Sequence, residues 1–158
     1  MKPEIGMAKV RAPIPAVAGF RWSVGEQMER FIKALEQRRI LGGKCGQCGY
    51  VYVPPRDRCG RCHASISEQD LTEIPGKGTL LSYTVAHVEL DGSGNFRALD
   101  APKVIGAIKL EGADSTIFMP VEKIEAEQLK VDMPVEVVWA EKTEGRLTDL
   151  RAFRPVNR

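Results

Sequence analysis

Four cysteines carry the most specific chemistry in this chain. Cys45-Gly46-Gln47-Cys48 and Cys59-Gly60-Arg61-Cys62 are two C-x-x-C pairs with ten residues between them. Each pair turns two sulfurs toward one point, and a ten-residue spacer suffices for a hairpin that brings the two points together. Four thiolates around one position are the donor set of tetrahedral zinc. Gly46, Gly49 and Gly60 suit the tight turns of such knuckles, and Pro54-Pro55 stiffens the returning limb. Four sulfurs also fill the coordination shell and leave no position for water or substrate. The expected metal is therefore structural Zn2+, and in a segment with so few apolar side chains it supplies most of the folding free energy.

Two rival readings use the same residues. Cys59-Gly60-Arg61-Cys62-His63 has the form C-x-x-C-H of a c-type haem attachment site. That chemistry needs an exported chain and leaves Cys45 and Cys48 unused. A redox disulfide pair belongs at the start of a helix after a strand, and neither pair has that setting.

Beyond the cysteines the chemistry thins. The histidines are His63 and His87, and no G-x-S-x-G, Walker loop, G-x-G-x-x-G or H-E-x-x-H is present. His87, on an expected strand, is the residue a stand-alone enzyme would use, and no nucleophile accompanies it. Asp91-Gly92-Ser93-Gly94 is a glycine-rich loop and a weak phosphate signal. No catalytic residue is assigned.

The elements that position these residues follow from pattern. Ser23 with Glu26 forms a capping-box pattern, and Met28, Phe31, Ile32 and Leu35 make an apolar stripe at helical spacing. Gly42-Gly43 is the expected stop, which gives a helix within 23–43. The stripe packs on the chain's own body or docks on another chain. A helix leading into a small metal module has little body to cover it, so Met28, Phe31, Ile32 and Leu35 are expected partner contacts. Residues 1–22, broken by prolines, read as an extended arm. Residues 44–70 are the ribbon. From 71 to 158 the texture is β, with strands expected near 79–88, 104–110, 116–119, 135–139 and 147–153, and a short helix at 122–129. Gly106 is an expected bulge. Five strands with a helix between the third and fourth suit an OB-type barrel ending in a C-terminal tail, so the fold class is mainly β.

Composition bounds the rest. Of 158 residues, 43% are hydrophobic and 28% charged, ordinary for a folded domain and wrong for a disordered chain or a coiled coil. No apolar run approaches the ~20 residues of a membrane helix. Four cysteines are too few for a disulfide scaffold, and the first residues carry prolines and charges in place of an apolar signal core, so a reducing cytoplasm is expected. The net charge of +2 is uneven: residues 71–150 carry −6, while both ends and the cysteine region are basic. The basic parts are candidates to meet an anionic ligand. A zinc ribbon with an OB barrel can also bind single-stranded nucleic acid. Against that stand the acidic barrel and its sparse aromatics (Tyr83, Phe96, Phe118, Trp139), expected mostly at core positions.

The segments RRILGGKCGQCG, PPRDRCGRCH, GKGTLLSYTVAH, APKVIGAIKLEG, VDMPVEVVWAE and the terminal FRP together resemble the DUF35 family, a group of rubredoxin-like zinc-ribbon plus OB-fold proteins associated with thiolases. The resemblance covers roughly residues 25–155. It implies a non-catalytic partner of a thiolase-like subunit in a hetero-oligomer that makes or breaks carbon–carbon bonds on acyl-CoA thioesters. The partner supplies the catalytic cysteine and histidine, and the CoA thioester is a shared ligand. Small subunits of aryl-substituted β-oxoacyl-CoA thiolases of the benzoylsuccinyl-CoA type look similar, as do those of steroid side-chain retro-aldolases and acetoacetyl-CoA thiolase complexes. The sequence does not choose among them. CoA carries several phosphate charges, and arginine recognises phosphate with a planar fork of donors. Lys44, Arg56, Arg58 and Arg61 at the ribbon, and Arg97 in the loop after the first barrel strand, are therefore candidate CoA contacts.

Overall fold

The computed structural model describes residues 23–91 and 93–156. The arm expected over 1–22 lies outside the described residues.

One helix, α1 (Glu26–Glu36), opens the described chain. Its first-turn glutamates, Glu26 and Glu29, face the positive end of the helix dipole. The expected capping box does not form. Gly25 is the N-cap, and the Ser23 hydroxyl accepts instead from the Gly25 N–H at 3.3 Å. The helix also ends earlier than Gly42-Gly43. Arg38 takes a left-handed conformation (φ 57°), its N–H bonds to the Leu35 carbonyl at 2.9 Å, and the Arg39 N–H reaches the Ala34 carbonyl at 3.1 Å. This is the Schellman ending that glycine usually supplies. Here the Arg38 guanidinium holds the turn by donating to the carbonyl of Glu141 at 3.2 Å.

Gly42 and Gly43 lie in a strand, β1 (Ile40–Lys44), which is the centre of a three-stranded antiparallel sheet with β2 (Val51–Tyr52) and β3 (Leu71–Ile74). The ribbon's sheet thus runs past both expected boundaries, from Ile40 to Ile74.

Five further strands close a barrel: β4 (Lys77–Leu90), β5 (Phe96–Leu110), β6 (Thr116–Val121), β7 (Pro134–Trp139) and β8 (Leu150–Pro155), in the order β4-β5-β6-β8-β7. Closure removes the sheet edges and turns alternate side chains inward. Leu80, Ile108, Leu110, Val135 and Phe153 are fully buried there. The helix expected at 122–129 is a single 3-10 turn, Ala126–Gln128, and the last strand starts at Leu150 after another such turn at Leu147–Asp149. Gly106 is not a bulge. It pairs in regular register with Tyr83 and Met119, and the irregularities lie elsewhere: an extra β4 residue between Leu80 and Ser82, and four β5 residues between Ala98 and Lys103 opposite the single His87 of β4. A Cβ at Gly106 would come within 2.6 Å of Leu80 Cδ1, so its role is close packing inside the barrel.

Helix, ribbon and barrel share one core. Phe31, Leu35, Ile40, Val51, Val53 and Ile74 join the barrel residues in a single cluster. Phe31 and Leu35, expected to contact a partner, are 4% and 0% exposed and pack on the chain's own body; Met28 and Ile32 are half-buried against the same core. The expectation of little nearby body fails because the barrel folds back beneath the helix.

A polar clasp joins ribbon to barrel. The Val51 N–H donates to Asp114 Oδ2 at 2.9 Å, the Val53 N–H to Ser115 Oγ at 2.7 Å, and the Asp114 N–H to the Val51 carbonyl at 3.0 Å. The β5–β6 turn therefore satisfies backbone groups that the two-residue β2 leaves open.

Candidate metal centre

Two hairpins present the cysteines. In the first, the Cys45 N–H bonds to the Tyr50 carbonyl and the Gly49 N–H to the Cys45 carbonyl; in the second, the Cys59 N–H bonds to the Ala64 carbonyl and the His63 N–H to the Cys59 carbonyl. The knuckles are near copies. Each needs a left-handed residue one position after its second cysteine: Gly49 (φ 74°) in the first and His63 (φ 62°) in the second. Gly46 and Gly60 have no such requirement.

The hairpins bring all four sulfurs within 4.8 Å of one another. The Sγ atoms of Cys45 and Cys62 are 3.5 Å apart, as are those of Cys48 and Cys59. Zn–S bonds of about 2.3 Å in a tetrahedron set sulfurs about 3.8 Å apart, so the cluster has the size that zinc requires. Cys45 and Cys59 are buried, Cys62 is half-buried and Cys48 is exposed.

Sulfurs this close cannot all be thiolates without a cation between them. The acidities split accordingly. Cys59 is pushed down to about 5, first by the Tyr52 hydroxyl and then by the backbone N–H groups of Cys62 and Arg61. For Cys62 the Ala64 N–H pulls downward, but burial and the neighbouring Cys45, Cys59 and Cys48 outweigh it and push the thiol up to about 12. A divalent cation at the centre removes that conflict, because it stabilises every thiolate at once. The donor set fits zinc, and the closed shell gives it no chemistry to perform on a substrate. All four cysteines belong to this one cluster, which separates Cys59–His63 from the haem-attachment reading and both pairs from the redox reading.

The other candidates fall in different places. Arg56 lies over the Tyr52 ring at 5.2 Å and Arg61 over the Tyr50 ring at 5.3 Å, and these two rings are themselves 4.6 Å apart. Arg58 donates to the His63 carbonyl at 3.3 Å, and Lys44 is exposed at the end of β1. Arg97 is not in a loop. It stands on β5, paired with Glu89 across the β4–β5 hairpin. The Asp91 loop spends its donors internally, because the N–H groups of Ser93 and Asn95 both bond to Asp91 Oδ1 at 2.9 Å. His63 and His87 are both exposed. An apolar crevice of about 400 Å³, lined by Phe31, Leu35, Val53, Pro54, Ile117 and Phe118 among others, contains no titratable side chain. Among the described residues nothing assembles an acid, a base and a nucleophile.

Sequence reading missed one surface. At the far end of the β4–β5 hairpin Val88 faces Ala98 and Leu90 faces Phe96, so all four share one side. Val88, Leu90 and Phe96 are 49%, 64% and 76% exposed. The opposite side carries Glu89 bridged to Arg97 and Lys103. Phe96 and Phe118, expected in the core, are among the most exposed aromatics, because the hairpin outruns the barrel and β6 turns Phe118 outward.

Residues 33–68 match a family described as ChsH2, rubredoxin-like zinc ribbon domain, and residues 71–140 one described as ChsH2, C-terminal OB-fold domain. Two relatives are each named DUF35 domain-containing scaffold protein. The one from Methanocaldococcus jannaschii is 34% identical over 76 residues, 48% of this chain and 50% of the relative. The one from Methanothermobacter thermautotrophicus is 33% identical over 76 residues, 48% of this chain and 53% of the relative. The chain thus matches about half the length of these relatives. Among solved structures, the Ltp2-ChsH2(DUF35) aldolase superposes with a TM-score of 0.63 at 24% identity, covering 85% of this chain and 98% of that one. A DUF35-family protein of unknown function from Sulfolobus solfataricus gives 0.59 at 25% identity, covering 83% and 84%. No helix among the described residues is long and apolar enough to cross a membrane. Ribbon and barrel stand in the same order as the two matched domains, and the four sulfurs converge inside the matched ribbon: the chain belongs to the DUF35 family, with a zinc ribbon and an OB-fold of the ChsH2 kind.

Proposed function

We propose that this chain is the non-catalytic subunit of a thiolase-type complex acting on acyl-CoA thioesters in the reducing cytoplasm, where it supports assembly and holds part of the CoA ester. The observation that carries this reading is the β4–β5 hairpin. Its apolar side, Val88, Leu90 and Phe96, has no cover among the described residues, and its charged side is already neutralised by its own ion pairs. An isolated two-stranded ribbon gains little stability in water, so an apolar face on one is a surface waiting for a partner. The scaffold naming of the relatives supports the same role.

The ribbon supports the ligand half of the reading. Lys44, Arg56, Arg58 and Arg61 are exposed and, among the described residues, none of them pairs with a carboxylate, whereas Arg30, Arg39, Arg97, Arg151 and Arg154 all do. Unpaired guanidinium groups are free to fork onto phosphate. Single-strand nucleic-acid binding would use the exposed Phe96 and Phe118. It lacks the basic groove, because Arg97 and Lys103 are bound to Glu89.

The test is co-purification from the native host. The tagged chain is expected to bring down a thiolase-like subunit in stoichiometric amount. Leu90→Asp and Phe96→Asp should abolish this while leaving the melting temperature within a few degrees, since both sites are exposed. Retention of the partner by both variants sinks the hairpin assignment. Carbon–carbon cleavage of an acyl-CoA by the isolated chain sinks the non-catalytic reading.

A further inference from the structure

The two knuckles are alike in backbone but not in what reaches their sulfurs. Tyr52, 6% exposed, packs in a small cluster with Cys45, Cys59 and Ile66. Its hydroxyl accepts from the Gly60 N–H at 2.9 Å, which fixes the oxygen and leaves its proton to be donated to Cys59 Sγ at 3.4 Å. A phenol is protonated at neutral pH and is a donor there. The Arg61 N–H also points at Cys59 Sγ, at 3.4 Å. Arg56 over the Tyr52 ring draws electron density from it and strengthens the O–H as a donor. Among the described residues no side chain other than cysteine reaches Cys45, Cys48 or Cys62.

We propose that Tyr52 is a positioning residue of the metal centre: it holds Cys59 Sγ in place by a phenol-to-sulfur hydrogen bond, and through that bond it sets how firmly the ribbon retains its metal and which sulfur is the least reactive. A thiolate that accepts hydrogen bonds carries less charge, so it is a poorer nucleophile and is less readily protonated and displaced. Groups that orient metal ligands in this way change affinity by roughly 10–100-fold when removed. Cys59 is thus the protected sulfur and the exposed Cys48 is the first to leave.

The experiment uses the full chain loaded with Zn2+ or Co2+, as wild type, Tyr52→Phe, Arg56→Gln and Tyr50→Phe. Tyr50 is the control, because its hydroxyl donates to the Asp114 carbonyl at 3.1 Å and not to sulfur. In Tyr52→Phe, zinc loss to excess chelator is expected to be about tenfold faster or more. The sulfur-to-cobalt charge-transfer band should move to lower energy, and alkylation of Cys59 should rise relative to Cys48. Arg56→Gln, which keeps the hydroxyl, should give smaller changes in the same direction, and it carries the test if Tyr52→Phe does not fold. Tyr50→Phe should leave the band in place. An unmoved band and unchanged release rate in the folded Tyr52→Phe variant, or in Arg56→Gln if it alone folds, overturn the proposal, as does an equal shift in Tyr50→Phe.

Discussion

Asp149 shows how one buried charge can organise a loop without being a catalytic group. It is 2% exposed, and one of its oxygens accepts the N–H groups of Glu144, Gly145 and Arg146 at 3.0, 2.8 and 3.0 Å. Burial works against the charged form, but these three donors outweigh it and hold the carboxyl below its ordinary 3.8. A depressed folded pKa contributes stability that is fully present above the unfolded value and is lost as pH falls through the folded one. Asp149→Asn should therefore lower the melting temperature at pH 7 by roughly 5 °C. The gap between wild type and variant should shrink as pH drops below about 4. Thermal melts of both proteins from pH 7 to pH 3 check this, and a gap independent of pH contradicts it. Neither the carboxylate's hold on this turn nor the left-handed turn at Arg38 was legible in the sequence. Arg38 stands where the usual signal is glycine, and its guanidinium holds the turn by reaching the carbonyls of Ala140 and Glu141, 102 and 103 positions further along the chain.

At the scale of elements, the helix stripe decides between two roles. The spacing of Met28, Phe31, Ile32 and Leu35 names the apolar face correctly, but spacing cannot say which body covers it. The face is covered by the barrel and ribbon, with Phe31 and Leu35 in the shared core. Phe31→Ala should thus destabilise the isolated chain by about 3–5 kcal/mol, the usual range for a large-to-small core change. Urea denaturation measures it as a fall in the midpoint. Unchanged stability with loss of the partner would return the stripe to the interface. The barrel strands were legible because alternation and turn residues mark them. The hairpin beyond the barrel was read short, because Asp100-Ala101-Pro102 breaks the strand pattern between the two paired stretches of β5, Phe96–Ala98 and Lys103–Leu110. Its exposed apolar side, the surface we propose for a partner, was therefore not visible.

For the whole molecule the question is how far the metal's influence extends. The cysteine spacing makes the centre readable from sequence, and a small isolated ribbon would fold only with its metal. This ribbon is not isolated. Its Val51 and Val53 N–H groups are satisfied by Asp114 and Ser115 of the barrel, and Ile40, Val51, Val53 and Ile74 sit in the main core. Cys45, Tyr52, Cys59 and Ile66 form a separate small cluster that has the sulfurs at its centre. Chelation should accordingly melt the knuckles and stop at β2. Hydrogen exchange should lose protection at the N–H groups of Cys45, Gly49, Cys59, His63 and Ile66, whose acceptors all lie within the two hairpins. It should be kept at Val51 and Val53, and at Ile108 and Val137 in the barrel. Metal analysis of the untreated protein should return one zinc per chain. Loss of protection throughout the barrel on chelation would mean that the clasp transmits the metal's stability to the entire fold, and retention at the knuckles would mean that hydrogen bonds alone hold the sulfurs together.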